Sequence, residues 1–267
     1  MRQDQDVQTL TAPTLEQILD FCADEPVERV FLEDVARRRL GRFAAVEEQG
    51  RLRALCHIGA NLVPSGEGCA AFADVVREHA GGVRMLIGEE AAVDELWRAA
   101  ASLLRAPRDD RPGQPVYELD ELPPAGETGL RAARPRDFDL LLPACARMHE
   151  EETGIDPLRD DPDGFRRRTR AQIEDGRSWL WGEDGRILFK AEASAWTQRA
   201  VQLMQVWVDP ELRGRGYAQR GLRDLCRLLL ATTPRVCLFV RPENTAGIRL
   251  YESIGMRRTI TYRSVIF

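Results

Sequence analysis

The residues best placed to do chemistry lie in one short run, Val206-Trp-Val-Asp-Pro-Glu-Leu-Arg-Gly-Arg-Gly-Tyr-Ala218. An apolar strand reaching Pro210, a glycine-rich turn and an immediate helix are legible in that order. Glycines at 214 and 216 let the backbone take positive φ and approach a ligand with no Cβ in the way. The first amides of a helix have no partner within it, and the helix dipole is positive at that end, so the turn is suited to an anion. Arg213 and Arg215 add charge-assisted donors for phosphate. A pyrophosphate suits this arrangement. A phosphate-cradling Gly-Lys-Ser/Thr is absent, and Gly214-x-Gly216-x-x-Gln219 lacks the third small residue of a dinucleotide fingerprint.

A second cluster follows after one helix and one strand: Asn244-Thr-Ala-Gly-Ile-Arg-Leu-Tyr251, then Gly255-Met256. Residues seven apart share a helix face, so Tyr251 can face the same groove as Asn244. A tyrosine is protonated at neutral pH and can pass a proton to a departing thiolate.

Both clusters, in this order, resemble the GNAT superfamily of acyl-CoA-dependent N-acyltransferases. Its pyrophosphate loop reads Gln/Arg-x-x-Gly-x-Gly/Ala, and Arg213, Gly216 and Ala218 fill the fixed positions. The resemblance covers about half of the chain. It implies that Val206, Trp207, Val208, Arg213, Gly214, Arg215, Gly216, Tyr217 and Ala218 bind acetyl-CoA as co-substrate, and that Asn244 contacts its pantetheine arm. It also implies that Tyr251 points at the thioester sulfur, that an amide near Val208 polarises the carbonyl, and that strand 202–208 splays from strand 236–240. Family members often carry a glutamate just before the first residue of the Val-x-Val strand. Here that place is held by Gln205, which cannot accept a proton. Another carboxylate must serve, with Glu192 on the neighbouring strand or Glu150, Glu151 or Glu152 as candidates, or else a water relay or an acceptor deprotonated in solution. A carboxylate on a half-buried strand is expected to have a raised pKa.

The elements that must position these residues are readable from patterning. In the first half we expect a helix over Thr14–Ala23 capped by Thr14 with Gln17 three residues on. Strands follow over Gly41–Glu48 and Arg51–Leu62, joined at Gln49-Gly50, then a helix over Gly68–His79, a strand over Val83–Ile87 and a helix over Ala91–Leu104. Pro115–Leu119 reads as a short edge strand. In the second half we expect a strand over Leu130–Ala133, helices over Phe138–Glu150 and Pro162–Glu174, and a hairpin of Trp179–Glu183 and Arg186–Trp196 about Asp184-Gly185. A strand over Val201–Val208, a helix over Gly216–Ala231, a strand over Arg235–Val240, a helix over Thr245–Ile254 and a closing strand or strands over Arg257–Phe267 complete it.

The halves share a rhythm: compare Asn61-Leu-Val-Pro-Ser-Gly-Glu-Gly68 with Trp207-Val-Asp-Pro-Glu-Leu-Arg-Gly-Arg-Gly216. The expectation is an α/β (α+β) protein of two tandem GNAT-like domains, each a mixed, mostly antiparallel sheet flanked by helices. The boundaries are 1–119, a Pro- and Gly-bearing linker over 120–129, and 130–267. The first domain has no counterpart of Arg213 and reads as degenerate.

Charged residues make up 30% of the 267, with a net charge of −5 and 43% hydrophobic residues. That balance argues mildly against nucleic acid as a partner, though a local basic patch is still open. Of the 38 basic residues only Lys190 is a lysine, so Schiff-base chemistry has a single candidate. The six cysteines form no Cys-x-x-Cys pair and no zinc-ligand spacing, so no metal is expected. No signal pattern or spanning run is seen, and the expectation is a cytoplasmic protein that partners neither membrane nor nucleic acid. The reading is an N-acetyltransferase transferring acetyl from acetyl-CoA to a primary amine of a small-molecule or peptide acceptor; a non-catalytic acyl-CoA sensor or scaffold is the alternative. Neither reading fixes the acceptor or the oligomeric state.

Overall fold

A computed structural model describes residues 9–267. The chain forms two compact units. The first runs to Tyr117 and takes in Phe239–Thr245 and Arg258–Phe267; the second comprises Glu118–Leu238 and Ala246–Arg257.

The early elements are β1 (Thr9–Thr11), α1 (Leu15–Asp24), α2 (Val30–Arg37), β2 (Arg42–Glu48), β3 (Arg51–Ile58), β4 (Asn61–Gly66), α3 (Ala73–His79), β5 (Met85–Glu89), α4 (Glu90–Ala100) and β6 (Asp109–Leu119). The later ones are β7 (Arg131–Ala132), α5 (Phe138–Thr153), α6 (Pro157–Asp160), α7 (Pro162–Glu174), β8 (Ser178–Glu183), β9 (Arg186–Trp196), β10 (Val201–Trp207), α8 (Tyr217–Leu230), β11 (Val236–Phe239), α9 (Thr245–Ser253) and β12 (Arg257–Ile266).

In the first unit the strand order is β1-β2-β3-β4-β5-β12-β6. β4 and β5 are parallel, paired at Asn61↔Met85 and Leu62↔Leu86. The closing strand β12 runs antiparallel to β5 from Tyr262↔Glu89 to Ile266↔Met85. Val265 of β12 is buried with Leu62, Phe72, Leu86 and Leu96, so this strand contributes to the first unit's core. A second apolar cluster joins Ile18, Phe21 and Leu32 of α1 and α2 to Leu55 and Val63.

In the second unit the order is β11-β10-β9-β8-β7. Its neighbours are antiparallel except β10 and β11. Leu141, Leu142 and Cys145 of α5 pack with Phe165, Ile173, Leu180, Ile187 and Trp207. Helix α8 buries Leu222, Leu225, Cys226 and Leu229, the stripe its spacing predicts. Each unit is thus a mixed, mostly antiparallel sheet flanked by helices. No helix among the described residues is long and apolar enough to cross a membrane.

Local chemistry explains the clearest elements. Thr14 caps α1 in a reciprocal capping box with Gln17. The β8–β9 hairpin turns at Asp184 (φ 50°) and Gly185 (φ 75°), the two positive-φ residues that match strand twist. Other expectations are corrected. The single strand over Arg51–Leu62 is two antiparallel strands, β3 and β4, breaking after Ile58. The strand expected from Pro115 begins earlier, at Asp109, and is not an edge strand, since it has a neighbour on each side. The strand expected to reach Pro210 ends at Trp207, and Pro210–Leu212 forms a 3-10 turn capped by Asp209. Gly68–His79 opens as a 3-10 turn, and α helix begins only at Ala73.

Candidate active site

The glycine loop sits where β10 gives way to α8. Gly214 (φ 75°) and Gly216 (φ 82°) are both left-handed, and a Cβ added at either would meet open space. Gly216 is the N-cap of α8, and Tyr217 and Ala218 are its first residues. Among the described residues no protein acceptor is recorded for the amides of Gly214 through Ala218. An amide row of this kind at a helix start has the geometry to receive an anion.

Arg213 and Arg215 are exposed beside it. The Arg213 Nε donates to the Val208 carbonyl at 3.2 Å. Its Nη2 reaches both Glu151 oxygens, at 2.9 and 2.7 Å, from the last turn of α5. Both partners of this ion pair are about half exposed, 49% and 40%, so it contributes at most about 1 kcal/mol and yields easily to a competing anion. The Tyr217 ring meets Trp181 edge-on, with centroids 5.2 Å apart. Arg220 lies over the same indole.

Strand β10 is recorded as pairing with β11 only at Val201↔Val236 and Gln202↔Cys237. Beyond Gln202 no further pairing of the two strands is seen among the described residues. On its other side β10 carries a bulge. Between Met204↔Glu192 and Trp207↔Lys190, it has two residues, Gln205 and Val206, against Ala191 alone. Gln205 takes φ 52°, a left-handed conformation that costs a non-glycine residue about 1–2 kcal/mol. Val206 is half-buried and Val208 buried. Trp207 faces the α5 core, its indole N–H buried without a partner among the described residues.

Behind the bulge lies a polar cluster. Lys190, fully buried, donates from Nζ to Glu192 Oε1 at 2.9 Å and to Gln205 Oε1 at 3.0 Å. The Cys145 thiol of α5 donates to the same Glu192 oxygen at 3.1 Å. The upward shift expected for Glu192 is not found. Burial alone would raise its carboxyl, but the Lys190 ammonium and the donors around it hold it below the ordinary range. The ammonium is in turn held above the ordinary lysine value by Glu192 against the opposing effect of burial. Burial pushes the Cys145 thiol up to about 12, so it stays protonated.

Tyr251 is buried on α9, and burial, aided by the Glu152 carboxylate, raises its hydroxyl well above the usual value. It therefore stays protonated throughout the physiological range. Asn244 directly precedes α9 and lies in the 239–245 stretch that clusters with the first unit. The second unit thus holds the loop, β10, Tyr251 and Glu192. Sequence reasoning passed over two features: the Gln205 bulge and the role of Lys190 as its partner. The alternation Lys190-x-Glu192 placed both side chains on one strand face, and that signal was available.

This fold, with an amide row at a helix start beside a short parallel pairing of strands, is that of the GNAT acetyltransferases. Residues 144–256 match the model of the Acetyltransferase (GNAT) family, so the second half carries a GNAT domain; residues 41–141 match a Domain of unknown function (DUF4081). Among solved structures, a GNAT-family acetyltransferase from Colwellia psychrerythraea has a TM-score of 0.59 at 10% identity, covering 97% of this chain and 99% of its own. A GCN5-related N-acetyltransferase from Sphaerobacter thermophilus has a TM-score of 0.60 at 18% identity, covering 96% and 94%. A tandem GNAT protein from the clavulanic acid biosynthesis pathway has a TM-score of 0.55 at 13% identity, covering 97% and 98%. These likenesses extend the GNAT-like fold over both halves. No curated protein matches the chain significantly.

Proposed function

We propose that the second unit is an acetyl-CoA-dependent N-acetyltransferase acting on a primary amine of a small molecule or peptide. The observation that carries this reading is the row of unclaimed amides from Gly214 to Ala218 at a turn of two left-handed glycines. In the proposed complex these amides, with Arg213 and Arg215, grip the diphosphate, and β10 beyond Gln202 receives the pantetheine amides. The neutral amine attacks the thioester carbonyl, forming a C–N bond and a tetrahedral oxyanion that an amide near Val208 stabilises. Collapse breaks the C–S bond, the leaving thiolate takes the Tyr251 hydroxyl proton, and the proton lost by the amine nitrogen passes through water and restores the tyrosine. Burial keeps the Tyr251 hydroxyl protonated until the thiolate departs.

Glu192 was the first candidate for taking the amine's proton. Its bonds to Lys190 and Cys145 support a counter-ion role instead. That same locked geometry is what favours the second reading, an acyl-CoA-binding protein without catalysis. Thiol release from acetyl-CoA with a panel of amines separates the two. Activity in the wild type that falls about 10²- to 10⁴-fold in Tyr251→Phe, with CoA binding retained, supports catalysis. CoA binding with no thiol release from any amine supports the sensor.

A further inference from the structure

Lys190 is a conspicuous choice of residue. Every other basic side chain among the 38 is arginine, and most of those lie at the surface; this one ammonium is fully buried. Its three donors radiate from a point, whereas a guanidinium is a planar fork of larger size. The point charge fits between Glu192 on the same strand and Gln205 on the next, at 2.9 and 3.0 Å. An ion pair in this position is poor value as a stabiliser, because desolvation offsets its attraction and apolar packing would serve as well. What it does specify is conformation. Gln205 is the left-handed residue of the β10 bulge, and its side-chain oxygen is held by Lys190. The two residues after Gln205, Val206 and Trp207, lead directly to Val208.

We propose that Lys190 is a positioning residue for acyl transfer: by anchoring Gln205 it fixes the left-handed bulge and so aims the amides of Val206–Val208 at the thioester carbonyl. Glu192 is the counter-ion that keeps the ammonium in place, and Cys145 ties that counter-ion to α5. The inference rests on the acyltransferase reading above.

Glycine supplies the test, because it adopts φ near +52° without an anchor. In the full chain, Gln205→Ala and Lys190→Met are expected to lower kcat about 10- to 100-fold, with KM for acetyl-CoA and CoA affinity within about twofold. Gln205→Gly should keep kcat within about threefold of wild type, and the double variant Lys190→Met, Gln205→Gly should recover most of the loss. A lysine acting through charge or proton transfer gives no glycine rescue, and that result overturns the proposal. So does wild-type kcat in Lys190→Met or Gln205→Ala. Should Lys190→Met fail to fold, the contrast between alanine and glycine at 205 decides alone. Amide hydrogen exchange at Val206 and Val208 reads the bulge independently of turnover. Faster exchange in Gln205→Ala than in Gln205→Gly supports the positioning role even where no amine is acetylated, a result that removes only the acyltransferase reading. Equal exchange in the two overturns the positioning role.

Discussion

The first unit contains a loop built to the same plan as the glycine loop of the second, and the two have opposite fates. Gly66 and Gly68 are left-handed, at φ 89° and 87°, as Gly214 and Gly216 are at 75° and 82°. Both pairs come after the paired part of a strand whose parallel register is seen at two positions. In the first unit, however, the amides of Gly68 and Cys69 are taken by Glu95 Oε2 of α4, at 3.0 and 2.8 Å. A Cβ at Gly66 would collide with the Arg53 carbonyl, and one at Gly88 of β5 would crowd the Pro64 carbonyl. Where the second loop has Arg215, the first has Glu67, bound to Arg53. The first unit thus supplies its own anion. An anion site is defined less by its glycines than by whether the protein has already given its amides a partner.

The second unit also has a carboxylate that collects amides, but it is spent elsewhere. Asp224 on α8 accepts from the Gly126 amide at 2.6 Å, the Thr128 amide at 2.9 Å and the Thr128 hydroxyl at 2.7 Å. With Arg227 donating to the Pro123 carbonyl at 2.7 Å, it docks the proline-rich stretch along α8 and leaves the loop amides alone.

Reversing the charge beside the open loop is expected to have the largest effect. Arg213→Glu should weaken CoA binding by at least about 100-fold, roughly 3 kcal/mol, measured by titration calorimetry. Unchanged affinity would erase the distinction drawn between the loops. Next comes the plugged loop: Glu95→Ala strands two amides and should cost about 2–3 kcal/mol, read as a lower denaturation midpoint, while CoA affinity stays at the wild-type value. Loss of CoA binding with stability intact would contradict the role assigned to Glu95.

Asp224→Asn should cost about 1–2 kcal/mol at neutral pH. The sign of its pH dependence follows from the carboxyl. Burial pushes it up, but the Thr128 hydroxyl and the Gly126 and Thr128 amides prevail and hold it below the ordinary aspartate range. Its stabilisation is therefore complete above about pH 4 and is lost as pH falls through the depressed folded value, so the variant and wild type should converge in acid. A gap that persists at the lowest accessible pH contradicts this account. The smallest effect is expected at Glu151. Freeing Arg213 by Glu151→Gln should tighten CoA binding by only about two- to fivefold, because the pair is solvent-exposed. Weaker binding would mean that Glu151 orients the arginine and does not compete with the ligand.

Much of this was legible in the sequence because the signals are local. The Thr14–Gln17 box, the Asp184-Gly185 turn and the α8 stripe each operate within a few residues. Helix α2 was missed for a physical reason: its buried face includes Glu33 and Asp34, so the apolar period is broken by charges. The plug on the first loop joins residues 26 and 27 positions apart, and no spacing rule announces it. The bulge at Gln205 is equally silent, since glutamine is an unlikely residue for positive φ. Lys190 shows the reverse case. Its uniqueness was plain in the composition, but its meaning needed the neighbouring strand.

The placement of β12 bears on how the molecule is made. This strand pairs with β5 and lends Val265 to the first unit's core, yet it is translated after every other described element. Chains emerge from the ribosome at about 5–20 residues per second, and early domains ordinarily finish folding before later ones appear. Here the earlier unit must wait, with the β5 edge unpaired, until the ribosome has read through the whole of the later one.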